Sequence, residues 1–189
     1  MSRYVRATLG GRIISEIGRL PVEEYTSPLV RVVSVVAHDS DVVVADAKSY
    51  EVRTYDLRGR LLRILRADER LRTATDSAWN TALRGLPAAG RARAAAGPRQ
   101  YPAFAEVRVD SLSRIWIHDY HERQRWTVFD HDGALLGNVQ LPVIDGEPSQ
   151  LVWLGRDELA LRHNDANGAI VLTFHRLVRP GGAGSALRP

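Results

Sequence analysis

Residues 50–66, YEVRTYDLRGRLLRILR, and residues 125–141, RWTVFDHDGALLGNVQL, are two versions of one phrase. Tyr55, Asp56, Gly59 and the pair Leu61-Leu62 fall on Phe129, Asp130, Gly133 and Leu135-Leu136. Each version reads as two β-rich runs joined by a turn, with the glycine supplying the positive φ that a tight hairpin needs. Working outward, short β-branched runs alternate with turn chemistry: VVSVV, HDSD, VVVAD, AKSY, EVRTYD, LRG, RLLRIL. The second copy extends likewise through AEVRVD, SLSR, RIWIHD and YHERQ, which sets Val42 and Val44 on Ile115 and Ile117, and Asp46 on Asp119. Each copy therefore predicts a meander of four short antiparallel strands.

A third, degraded copy follows at QLVWL, GRD, ELALRH, NDANG and AIVLTFHRL, without a last strand. At the other end RYVRATL, GG, RIISEIGRL reads as a lone hairpin. A four-stranded sheet of about forty residues cannot bury both faces alone, and its repetition is the signature of a β-propeller blade. The fold class predicted is all-β, a partial β-propeller of four-stranded antiparallel blades with a helical insertion between two of them. Asp46 and Asp119 lie roughly seventy residues apart, too far for one blade. The surplus is 67–100. Its first half predicts a helix capped at Asp68, with Leu71, Ala74, Ala78 and Ala82 on one face and Trp79, Leu83 and Leu86 on another, ended by Gly85. The Ala/Arg/Gly/Pro-rich second half reads as a mobile linker. The whole is expected as one domain over 1–177: hairpin 1–20, blade 30–66, insertion 67–100, blade 104–141 and incomplete blade 150–177. The Gly/Pro/Ser tail 178–189 reads as disordered.

Composition limits the function classes. The chain has 189 residues, 44% of them hydrophobic and 25% charged, the balance of a globular protein. Without cysteine there is no thiolate nucleophile, thiolate metal site or disulfide framework. No run approaches a membrane span, and the start lacks the apolar core of an export signal; a cytoplasmic location is the expectation if Met1 is the true start. The net charge of +4 comes from arginines scattered through every segment, so no nucleic-acid partner is expected, and Arg91, Arg93 and Arg99 form the one denser cluster.

The blade phrase, the helical insertion after the first outer strand, YPAFAEVRVDSLSRIWIHDY and the closing W-x-V-F-D-x-x-G-x-L-L-G run together resemble bacterial six-bladed β-propeller proteins of the TolB-like and NHL-like kind. The resemblance spans roughly 11–177 and implies a fold, not an activity. It also implies departures: three blades where that family has six, a shortened insertion, and a localisation left open because such relatives are often exported.

In a blade the links between second and third strands share a rim with the connection to the next blade. AKSYE, DYHERQ and HNDANG are therefore expected beside the insertion, on a face where loops on a rigid scaffold carry binding groups. The candidate binding residues are Lys48, Tyr50, Tyr120, His121, Glu122, Arg123, His163, Asn164 and Asp165. A zinc site in HDYHE fits poorly, because His118 and Asp119 diverge on a strand, and HDSD and DHD lack calcium-loop spacing. Trp116, Trp126 and Trp153 read as packing between blades, and the recurrent aspartates as acceptors for turn amides. The function expected is a non-enzymatic binding or interaction module for a small molecule or protein, with no cofactor. The alternatives are a fragment of a metal-dependent hydrolase or lactonase-like propeller enzyme, or a truncated product without independent function. Open blade faces would favour pairing of two copies.

Overall fold

The structure is a computed structural model that describes residues 2–20, 29, 33–67, 71–122, 124–144 and 146–178. The expected Asp68 cap, Arg123 and the tail from 179 onward lie outside the described residues, as does the side chain of Arg93. The fold is mainly β, built from antiparallel sheets with few helices. Strands β1 (Ser2–Ala7) and β2 (Ile13–Leu20) form a hairpin. Strands β3 (Val33–His38), β4 (Asp41–Asp46), β5 (Glu51–Asp56) and β6 (Leu61–Arg66) form a four-stranded meander in chain order. Helices α1 (Asp76–Arg84) and α2 (Ala88–Ala95) follow. The second meander comprises β7 (Glu106–Val109), β8 (Ile115–His118), β9 (Arg125–Phe129) and β10 (Leu135–Gln140). After the small ladder of β11 (Val143–Ile144) and β12 (Glu147–Pro148), a three-stranded sheet of β13 (Gln150–Leu154), β14 (Glu158–Asn164) and β15 (Ile170–Arg176) closes the described chain. The two look-alike phrases thus lie in separate sheets.

One turn module recurs at four of the links between paired strands. At Asp56 the backbone amide donates to Arg60 O, Gly59 N donates to Asp56 O, and the Asp56 carboxylate accepts from the amides of Arg58 and Arg60. Asp130–Ala134 and Asp165–Ala169 repeat every one of these bonds. Asp110–Arg114 does so too, with Ser113 taking the positive φ held elsewhere by Gly59, Gly133 and Gly168. The glycine ends a four-residue turn that begins at the aspartate and takes positive φ there, the geometry of a bulge and not of a two-residue Asp-Gly hairpin; separate register shifts lie further on, at Leu62 in β5–β6 and at Leu136 in β9–β10.

The chain divides into two compact units, Met1–Val107 and Arg108–Pro189. In the first, the hairpin docks on the β3–β6 sheet: Tyr4 and Ile17 pack with Leu57 against Val42, Val44 and Tyr55, and Ser15 Oγ donates to Leu57 O at 2.6 Å. The insertion is more ordered than its composition predicts. Thr75, not Asp68, caps α1, accepting from Ala78 N at 3.2 Å, and α2 occupies the stretch expected as linker. Trp79 is buried with Leu29 and Ala74 against Ala82, Leu83 and Tyr101, and the ladder pair Thr73 and Gln100 clamps the base. Arg99, from the basic cluster, pairs with Asp76 at 2.7 Å and lies over the Trp79 ring.

In the second unit the sheets share one core: Trp116, Trp126, Val128 and Leu141 with Leu151, Leu159 and Leu161. Side chains alternate along a strand, so the faces of β8–β9 and β13–β14 that carry these residues meet in a seam.

Candidate functional site

In the first unit the β4–β5 link is anchored to the insertion at both of its ends. Ala67, leaving β6, donates its amide to Tyr50 O at 3.1 Å, and Ala103, past α2, donates to Ala47 O at 2.8 Å. The Tyr50 ring meets Phe104 edge-on at 5.9 Å. Asp46 accepts from the amide of Lys48, whose side chain is exposed. Beside them Glu51 accepts from Arg53 Nε at 2.5 Å and Arg66 Nε at 2.6 Å. The Arg66 hydrogen bond, aided by Arg53 and opposed by partial burial, holds the Glu51 carboxyl below its ordinary pKa.

In the second unit the β8–β9 link is organised by Asp119, which accepts from His121 N at 2.7 Å and Glu122 N at 2.9 Å. The His121 and Glu122 side chains are exposed; Glu122 receives Arg125 at 3.1 Å, and the Tyr120 and His121 rings meet edge-on. Asn164 is exposed at the end of β14.

Two candidates stand differently from expectation. Asp165 belongs to the tight turn module and spends its carboxylate on Asn167 N and Ala169 N, so HNDANG is a short hairpin unlike the wider AKSYE and DYHERQ links. His163 is only 8% exposed, on the face of β14 that carries Leu159 and Leu161. Its Nδ1 lies 3.3 Å from Asn164 O. Its Nε2 is buried and has no hydrogen-bond partner among the described residues.

The seam also holds polar groups outside the candidate binding set. His118 stacks on Trp126, rings 4.6 Å apart and nearly parallel, because cross-strand pairing sets these residues opposite one another. Arg108 lies over the Trp126 ring at 5.9 Å, and Trp126 Nε1 is buried without an acceptor among the described residues. Deeper in, the Asp110 side chain is fully buried and accepts from Arg114 Nε at 2.5 Å and Trp116 Nε1 at 2.8 Å; Arg114 also donates to Arg156 O in the β13–β14 link. Among the described residues no group of three or more His, Cys, Asp or Glu is placed to hold a metal ion, and no helix is long and apolar enough to cross a membrane.

No protein-family model matches the chain, and no curated protein matches it either. Among solved structures it is similar to a streptogramin B lyase, at 13% identity and a TM-score of 0.38 over 81% of this chain and 42% of that one. It is also similar to virginiamycin B lyase from Staphylococcus aureus, at 10% identity and a TM-score of 0.38 over 80% and 43% of the two chains. The chain spans less than half the length of these structures.

Proposed function

We propose that the chain is a non-enzymatic binding module of partial β-propeller type, whose contact residues are carried on the links between second and third strands. Lys48 and Tyr50 serve in the first unit, and Tyr120, His121, Glu122 and Asn164 in the second. The observation that supports this reading is the anchoring of the β4–β5 link by Ala67, Ala103 and Phe104, at both ends of an insertion that has its own core around Trp79. A loop fixed in this way meets a ligand without a large ordering cost. The recurrent carboxylates of Asp56, Asp110, Asp119, Asp130 and Asp165 are engaged by turn amides, which argues for a structural role rather than acid–base chemistry.

The test is a thermal-shift screen of the whole chain against sugars, nucleotides and short peptides, repeated with Lys48→Ala and His121→Ala. A compound whose stabilisation is lost in either variant supports the reading. Stabilisers indifferent to both variants contradict it. Zinc or calcium binding with turnover of an ester or lactone would replace it with the metal-dependent hydrolase alternative.

A further inference from the structure

The first two meanders cover their third strand, β5 or β9, with a fourth, β6 or β10. The last sheet has no fourth strand among the described residues, and β15 is its edge. This edge lacks the features that normally blunt one. It runs IVLTFHR with no proline, glycine or lysine, and it pairs with β14 in unbroken register from Ile170 to Arg176. The outer strands β10 and β6, by contrast, each carry a register shift, β10 also holds Gly137, and Arg63 interrupts the apolar run of β6.

The hydrogen-bond phase of β15 follows from its two ends. Asp165 N donates to Ala169 O, and Leu177 N donates to Asp157 O. In an antiparallel ladder bonded and non-bonded pairs alternate, so the odd-numbered residues of β15 bond inward to β14. Ile170, Leu172, Phe174 and Arg176 then direct their amides and carbonyls at the open edge. The same residues carry the exposed apolar side chains: Ile170 at 63%, Leu172 at 56% and Phe174 at 71%, with Trp153 edge-on to Phe174 at 6.5 Å.

We propose that β15 pairs with β15 of a second copy of this chain, antiparallel about a two-fold axis through Thr173. The sequence is self-complementary in that register. Leu172 faces Phe174, Val171 faces His175, and Arg176 faces Ile170, so no cation meets its own kind. The outward groups of the even-numbered residues find one another, giving about eight new hydrogen bonds across the axis. Leu172 and Phe174 of the two copies form adjacent cross-strand apolar pairs, the units that stabilise a sheet. Such an isologous contact closes at two copies.

The symmetric register supplies its own probe. Thr173 faces Thr173 of the partner in a non-hydrogen-bonded pair, with Cα atoms about 4.5 Å apart, within reach of a disulfide. The chain contains no cysteine, so Thr173→Cys is the single thiol. Light scattering is expected to give twice the 21.0 kDa chain mass. Mild oxidation of Thr173→Cys should cross-link most of the protein, whereas Ser111→Cys, in an exposed turn, should not. Phe174→Lys should return the protein to a monomer with unchanged circular dichroism. A monomer at about 100 µM, a dimer or larger assembly unaffected by Phe174→Lys, or cross-linking equal at 111 and 173 overturns the proposal.

Discussion

Replacing Asp110 by alanine tests whether one turn module holds the same worth wherever it recurs. Asp110 and Asp130 make the same bonds to turn amides: Leu112 N and Arg114 N at 2.9 and 3.0 Å, against Asp132 N and Ala134 N at 2.9 and 2.7 Å. Asp110 does more. Its side chain is 0% exposed beside an Arg114 side chain that is 11% exposed, and it also accepts the buried indole N–H of Trp116. Asp130→Ala removes turn bonds at the surface, where an average hydrogen bond contributes about 1 kcal/mol. Asp110→Ala leaves the buried Arg114 cation without its carboxylate and the buried Trp116 N–H without an acceptor, and breaking such a pair from one side costs about 3–5 kcal/mol. The expected difference between the two variants is therefore about 3 kcal/mol. Urea unfolding followed by tryptophan fluorescence measures it as a shift in midpoint at constant slope. Asp110→Ala/Arg114→Met should recover part of the loss, because the orphaned charge is gone. Equal costs for Asp110→Ala and Asp130→Ala would refute the argument that burial of Arg114 and Trp116 depends on this carboxylate.

Three further outcomes follow from local geometry. Gly59→Ala and Gly168→Ala both force a residue with a side chain into positive φ, at about 1–2 kcal/mol. At Gly59 the new Cβ also meets Glu16 O at 2.5 Å and Ile17 O at 2.9 Å, while Gly168 has open space, so Gly59→Ala should melt lower than Gly168→Ala. Trp126→Phe deletes an N–H that has no partner, whereas Trp116→Phe deletes one that serves Asp110; Trp116→Phe should be the costlier by about 1 kcal/mol in urea unfolding. The Arg66 hydrogen bond holds the Glu51 carboxyl below its ordinary pKa, so its contribution to stability is present at neutral pH and lost as pH falls through the folded-state value. Melting curves of the native chain and Glu51→Gln should differ at pH 7 and converge once the medium is acid enough to protonate Glu51 in the folded state; a constant gap would contradict that linkage.

The strands were legible because their information is local. Alternating β-branched runs, bounded by Asp and Gly, gave both meanders and the incomplete last sheet, and the aspartates at strand ends accept turn amides as their chemistry implies. Ser113 concealed a further copy of the turn module because a serine stands where the pattern has glycine. The second insertion helix was hidden by Pro87, Gly90 and Gly97, although alanine and arginine favour helix strongly enough to form one between them. His163 was misplaced in a loop, yet the pattern Leu159, Leu161, His163 already puts it on an inward face. The stack of His118 on Trp126 depends on strand register, and the fit of Gly59 under the hairpin depends on residues some forty positions away; neither is written in a short stretch of chain.

The central claim is that the repeated phrases form separate sheets that bury their faces against neighbouring sheets. Its most direct test is a nuclear Overhauser spectrum of protein with labelled leucine methyls and tryptophan rings. The seam predicts cross-peaks from the Trp116 and Trp126 indoles to the methyls of Leu159 and Leu161. Missing cross-peaks there, together with backbone contacts joining Tyr55 to Phe129 as partners in one ladder, would contradict it.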